Sequence, residues 1–175
     1  MRSSITVGPG GEVGVRRAVA RDARRLTRLV TSSRAYEGPY APMVAGYKVG
    51  PDYIEAHEVH VAVDGDGRVL GFYSLILSPP ELDLMFVADA VQGRGIGRLL
   101  VSHLREEARR AGLARVRVVA HPPAEGFYRS MGAERTGTVE ARPPAVMWDR
   151  PELVLPTAYG AAATEDRERP ASSTF

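Results

Sequence analysis

The 175-residue sequence contains no cysteine and one lysine, Lys48, against 22 arginines. Without cysteine there can be no disulfide, thiolate metal site or cysteine nucleophile, and the chain suits a reducing compartment. No stretch approaches about 18 consecutive apolar residues, so no membrane span is expected. Residues 1–12 lack an apolar core of signal-peptide length, which sets the expectation of a cytoplasmic protein. Metal and serine-hydrolase signatures are missing as well. The histidines of His57-Glu-Val-His60 are three apart at a strand entrance, whereas the zinc-protease motif needs four on a helix, so no metal is expected. No G-x-S-x-G nucleophile context occurs. The formal net charge is only +2. The basic block Arg21, Arg24, Arg25 and Arg28 has no interleaved aromatics and fits the solvated face of an amphipathic helix, so no nucleic-acid partner is expected.

What is present suits one domain of about 145 residues, large enough to bury its own core. Residues 1–11 are expected as a loose arm, 12–155 as the domain and 156–175 as a polar tail. A short strand over 13–18 precedes a helix whose start Asp22 supports, with Ala23, Leu26, Leu29 and Val30 at helical spacing. Gly38, Pro39, Pro42 and Gly50 break the segment 32–51, which is a natural place for a substrate lid. Residues 51–56 predict a helical turn. Val59–Val63 and Val69–Leu77 flank the turn Asp64-Gly-Asp-Gly67, the clearest hairpin in the chain. A strand over 81–87, a helix over 96–111 and a strand over 115–120 form a βαβ unit, so these two strands should run parallel. A short helix over 125–131 and strands at about 134–140 and 146–155 complete an α+β fold, one mixed sheet with helices on both faces.

The chemistry concentrates in Gln92-Gly93-Arg94-Gly95-Ile96-Gly97-Arg98, which has three glycines at alternate positions ahead of an amphipathic helix. A first helical turn leaves several N–H groups without partners and carries about half a positive charge. Glycines let a phosphate approach those donors, and Arg94 and Arg98 add charge. Spacing excludes two other phosphate motifs. A dinucleotide fingerprint would need glycine at position 98, and a P-loop needs a lysine that is absent.

The pattern Q-x-x-G-x-G at Gln92, Gly95 and Gly97, after a strand ending Met85-Phe86-Val87, resembles the acyl-CoA signature of the GNAT superfamily of N-acetyltransferases. Phe127-Tyr128-Arg-Ser-Met-Gly132-Ala133 is similar to that superfamily's F-Y-x-x-x-G-[FA] segment. Glu81-Leu-Asp-Leu-Met-Phe-Val87 resembles E-L-D-H-L-F-V of one bacterial branch. The resemblance covers roughly residues 13–155. It implies a mixed, mostly antiparallel sheet of six to seven strands in which one parallel pair splays apart. The pantetheine arm of acetyl-CoA would meet main-chain groups near Phe86 and Val87, and the diphosphate would sit on the amides between Gln92 and Arg98, with Ile96 packing inward. One departure is His121-Pro-Pro123, where related sequences carry Asp-Pro-Asn. The asparagine there touches CoA, and Pro123 cannot.

Acetyl transfer to an amine needs a base, because an alkylammonium with pKa near ~10 is only about 0.1% neutral at pH 7. That deficit is worth roughly 4 kcal/mol, which a placed base offsets in part. Glu81 and Asp83, two apart on one strand, share a face, and repulsion between them would raise one pKa. Glu81 is the first choice and Asp83 the second; the competing role is an edge pair bound to arginines. His121 is an alternative base, weighed against a surface histidine. The resemblance gives Tyr128 the role of acid toward the departing thiolate, with a core tyrosine as the competing role. A small-molecule amine is the expected acceptor, with Tyr36, Tyr40 and Tyr73 as trial contacts. A CoA-binding regulator without catalysis and a protein or peptide acetyltransferase are the alternatives, and the late strands or tail leave room for a homodimer.

Overall fold

The computed structural model describes residues 4–6 and 11–158. Its strands are β1 (Ser4–Thr6), β2 (Glu12–Arg17), β3 (Glu58–Val63), β4 (Val69–Leu77), β5 (Pro80–Val87), β6 (Arg115–Val119), β7 (Glu134–Val139) and β8 (Arg150–Pro156). The helices are α1 (Ala23–Thr31), α2 (Pro51–Ala56), α3 (Ile96–Arg110) and α4 (Glu125–Ser130). All strands join one sheet in the order β1-β2-β3-β4-β5-β6-β8-β7. Strands β2 to β8 form the expected sheet. β1 adds an eighth strand at its edge, inside the segment expected as a loose arm, and the expected tail from residue 159 onward lies outside the described residues. Among the described residues no helix is long and apolar enough to cross a membrane.

Every neighbouring pair is antiparallel except β5 and β6, the two strands of the βαβ unit. Their parallel register holds only at Glu81↔Arg117 and Leu82↔Val118. Beyond Leu82 the strands part. A bulge lies at the same place: Ser74 faces Leu84 and Leu75 faces Leu82, which leaves Asp83 as the extra residue of β5. An extra residue bends its strand and re-aims the side chains beyond it, so the bulge helps turn β5 away from β6.

The two sheet faces carry separate cores. On one, Leu99, Leu100 and Leu104 of α3 pack against Tyr73, Leu75 and Val116. On the other, Leu26, Leu29 and Val30 of α1 and Ile54 of α2 cover Val59, Val61 and Phe72. Fully burying each such side chain is worth about 1.5–3 kcal/mol. The arginines at 21, 24, 25 and 28 are exposed, opposite the apolar stripe of α1. Asp22 occupies the N-cap position of α1 without capping it. Its carboxylate instead accepts the Val19 N–H at 2.8 Å and two bonds from Arg16 at 2.8 and 2.9 Å. The segment after α1 is short 3-10 turns over 34–36 and 38–43, as its glycines and prolines predict. The last strand starts later than expected. Val146 only bridges Arg142, and β8 runs from Arg150 to Pro156, with the buried Thr157 held on Leu113 and Ala114 carbonyls at 2.8 and 3.1 Å.

Candidate active site

A cleft of about 660 Å³ opens where β5 and β6 separate. One wall is the far half of β5 with the loop that follows it. The other is the end of β6 with the turn to α4, and the Tyr36–Tyr47 segment lies over the opening.

The loop end is built from backbone. Gly93 and Gly95 have φ of +74° and +83°, conformations that cost a side chain about 1–2 kcal/mol. Gly95 is the N-cap of α3, and its carbonyl accepts the first helical bond from the Leu99 N–H at 3.0 Å. The amides of Ile96, Gly97 and Arg98 therefore precede the helical ladder and have no intrahelical acceptor. Gly97 is needed for another reason: a Cβ there would lie 3.1 Å from Cζ of Phe127. The glycine loop and the Phe-Tyr segment are thus one packing unit, which places Tyr128 beside the helix start. Gln92 donates from Nε2 to the Val87 carbonyl at 2.9 Å and ties the loop to the end of β5. Ile96 is buried; Arg94 and Arg98 are exposed, and Arg98 borders the cleft while Arg94 does not. Phe86 and Val87 line the cleft on β5.

Tyr128 is buried on the cleft wall, and its hydroxyl has no hydrogen-bond partner among the described residues. Burial pushes its phenol well above the ordinary value, with the neighbouring Tyr36 adding to the effect, so it is a neutral O–H donor. α4 is fixed from behind by Arg105, which reaches the carbonyls of Met131 and, at 3.2 Å, Pro156. Gly132, at φ +93°, takes a backbone conformation that strains any side chain, and a Cβ there would lie 2.9 Å from that guanidinium.

Glu81 and Asp83 both border the cleft, each with a partner. Glu81 lies 3.6 Å from Arg117, whose other nitrogen holds Glu152 at 3.0 Å. Asp83 accepts a hydrogen bond from the Tyr53 hydroxyl, which also lies 2.7 Å from Ser74 Oγ. Burial, with the Asp83 bond second, pushes the Tyr53 phenol far up, so it stays protonated.

His121 is buried rather than superficial. Its ring stacks on Tyr36 at 4.2 Å and meets the edge of Tyr40 at 4.4 Å. Nε2 lies 2.6 Å from the Ala35 carbonyl. A carbonyl can only accept, so Nε2 carries the proton and the neutral ring keeps its lone pair on Nδ1. Burial depresses its pKa, partly countered by the Ala35 bond. Tyr36 lines the cleft, and Tyr40 stands behind it against His121 and Trp148. Tyr73 is not at the site. It is fully buried on the α3 face, where its hydroxyl lies 2.8 Å from His103 Nδ1. Strand alternation sends its ring to the side opposite Phe72, which explains the misplacement. Beside it, Glu58, His60 and Glu107 bring possible metal-ligand atoms within 4.8 Å of one another. The carboxylates are engaged by Arg17 and Arg110. Sequence reasoning missed Arg150, which lines the cleft and carries no motif, and the bond by which Tyr53 holds Asp83.

A sheet split at one parallel pair, with a glycine-capped helix start in the split, is the scaffold that the resemblance to acyltransferases implied. The family model described as "Acetyltransferase (GNAT) domain" matches residues 55–132. Peptidyl-lysine N-acetyltransferase YjaB of Salmonella typhimurium is 31% identical over 108 residues, covering 62% of this chain and 68% of the relative. In fold the chain is similar to a GCN5-related N-acetyltransferase from Rhodopseudomonas palustris, with a TM-score of 0.68, 17% identity, and coverage of 87% of this chain and 97% of the other. It is also similar to a phosphinothricin acetyltransferase from Sinorhizobium meliloti solved with AcCoA, with a TM-score of 0.65, 22% identity, and coverage of 93% and 95%. The chain belongs to the GNAT superfamily and is an acetyltransferase.

Proposed function

We propose that the protein transfers the acetyl group of acetyl-CoA to the primary amine of a small molecule by direct attack. The observation that carries this reading is a single cleft shared by the free first-turn amides of α3, the unpartnered Tyr128 hydroxyl and two carboxylates. The glycine cradle fits a diphosphate, because a side chain at Gly93 or Gly95 would strain the backbone and one at Gly97 would crowd Phe127 at 3.1 Å. The loop from Gln92 to Arg98 holds that group, and main chain near Phe86 and Val87 lines the path of the pantetheine arm. Glu81 takes the proton from the incoming ammonium, with Asp83 holding the cation close. The amine nitrogen bonds to the acetyl carbon and the C–S bond breaks; Tyr128 donates its proton to the leaving sulfur, the nitrogen gives up its second proton to solvent, and Tyr128 recovers one from solvent. A phenol, even unshifted, holds its proton more tightly than a thiol, so the buried O–H is present when the thiolate forms.

The test is release of free thiol when the protein meets acetyl-CoA and a panel of amines. Tight acetyl-CoA binding with no thiol release to any amine or peptide would sink the reading and favour a CoA-binding regulator. A second acceptor, the lysine side chain of a protein, is favoured by the name of the Salmonella relative. The segment Tyr36–Tyr47 over the cleft favours a small acceptor instead. Acetylation of lysine peptides at rates above those of every free amine would decide for the protein substrate.

A further inference from the structure

We infer that the acceptor carries an anionic group, a carboxylate in the first instance, and that Arg150 holds it; this rests on the transferase reading above. Arg150 opens β8 beside the end of β6, where the Ala120 N–H donates to the Pro151 carbonyl at 2.9 Å, and it lines the cleft near Tyr36 and His121. Its guanidinium has no ion-pair or hydrogen-bond partner among the described residues, and its Nε is buried. Three other arginines on the strands of the sheet pair with carboxylates: Arg16 with Asp22, Arg17 with Glu58 and Arg117 with Glu152. The acids next to Arg150 in the chain are already bound, Glu152 to Arg117 and Asp149 to the Ala141 N–H at 2.8 Å.

Arg150 is not the only orphan there. Trp148 Nε1 and His121 Nδ1 are also buried without partners among the described residues. Tyr40 joins them, its ring 4.6 Å from Trp148 and 4.4 Å from His121. A buried donor left unpaired costs about 1–3 kcal/mol, and more when charged. Of these, Arg150 lines the cleft, and its charged, unpaired Nε–H suits an acceptor atom of negative charge. The planar fork of arginine suits a carboxylate. On the β5 wall of the same cleft lie Glu81 and Asp83, which suit a cation. One wall of positive and one of negative charge select a molecule with a free amine and an acid group. From Arg117 to His121 along β6 is on the order of 13 Å at strand rise, so amine and acid need not be adjacent in that molecule.

The experiment compares amino acids of increasing chain length with their carboxamides, each with acetyl-CoA, by thiol release. Native protein is expected to favour the acid over its amide by at least tenfold in kcat/KM, mainly through KM. In Arg150→Gln the ratio is expected to fall to near one, and the amide measured on the same variant controls for general damage. Arg150→Lys, which keeps the charge without the fork, is expected to retain part of the preference and serves if Arg150→Gln does not fold. Amides as good as acids in the native protein, or a preference that survives in Arg150→Gln, would overturn the inference while leaving the transferase reading intact. Phosphomonoester amines preferred over carboxylates would replace the proposed carboxylate with phosphate, overturning that choice. Turnover of no amine at all is the separate failure of the transferase reading.

Discussion

The two ends of the cleft are made of different materials. The end at residues 92–98 is backbone: glycines at positive φ, helix-start amides and a ring packed under Gly97. The end at Glu81, Asp83, His121 and Arg150 is side chains, brought from β5, β6 and β8 under a cover of 3-10 turns. A backbone site recognises what every substrate cycle has in common, and its geometry tolerates few substitutions. A side-chain site can be retuned one residue at a time. That division suits an enzyme with one fixed donor and an acceptor particular to this chain.

Substitutions break the comparison in order of effect. Tyr128→Phe, at the junction of the two ends, is expected to lower kcat by about 10² while leaving acetyl-CoA affinity within a few-fold. Full turnover in thiol-release assays would remove Tyr128 from the mechanism. Glu81→Gln should lower kcat/KM about tenfold at pH 7, and less at pH 9, where more of the amine is already neutral. An equal loss at both pH values would mean that Glu81 binds rather than accepts a proton. Gly71→Ala presses on β5 from the neighbouring strand and probes the sheet that carries the site. Its Cβ would sit 2.8 Å from the Phe86 carbonyl and 3.3 Å from Leu100, so a loss of about 1–3 kcal/mol is expected. Thermal melting should show it as a drop of several degrees.

The smallest effect is with pH. Burial depresses the pKa values of His60, His103 and His121 below the ordinary 6.5. The unfolded chain then binds more protons than the folded one, so their contribution is whole above about 6.5 and is lost as pH falls through that value. Asp22, held below the ordinary 3.8 mainly by its bonds from Arg16, adds a second loss only in stronger acid. A melting temperature that stays flat from pH 7.5 to 5.5 would contradict the histidine assignment.

The backbone end was legible in the sequence because its chemistry dictates residue types at fixed spacing. Amides can be exposed at a helix start only where side chains are missing, and Gly93, Gly95 and Gly97 record that. The packing of Phe127 on Gly97 shows why the two separated motifs occur together. The hairpin and the βαβ unit were legible from alternation and turn residues. The side-chain end was legible only in part: Glu81, Asp83, His121 and Tyr36 were expected at the cleft and line it, and Arg150 was not expected. Asp83 sits in a bulge that no local pattern announces, and Trp148 and Arg150 lie in a stretch read as strand from 146 that pairs only from 150. Tyr73 was placed at the site because alternation tells which residues share a face but not which face meets the cleft. β1 escaped notice because three residues carry no period, and its pairing with Glu12, Val13 and Gly14 is tertiary.

The claim on which the rest depends is that amides between Gln92 and Arg98 grip the diphosphate of the acyl donor. Calorimetric titration of acetyl-CoA into the native protein and into Gly95→Val tests it most directly. The expected result is saturable binding by the native chain and a loss of at least a hundredfold in the variant, with circular dichroism unchanged. No heat of binding in well-folded native protein, or undiminished affinity in Gly95→Val, would contradict it.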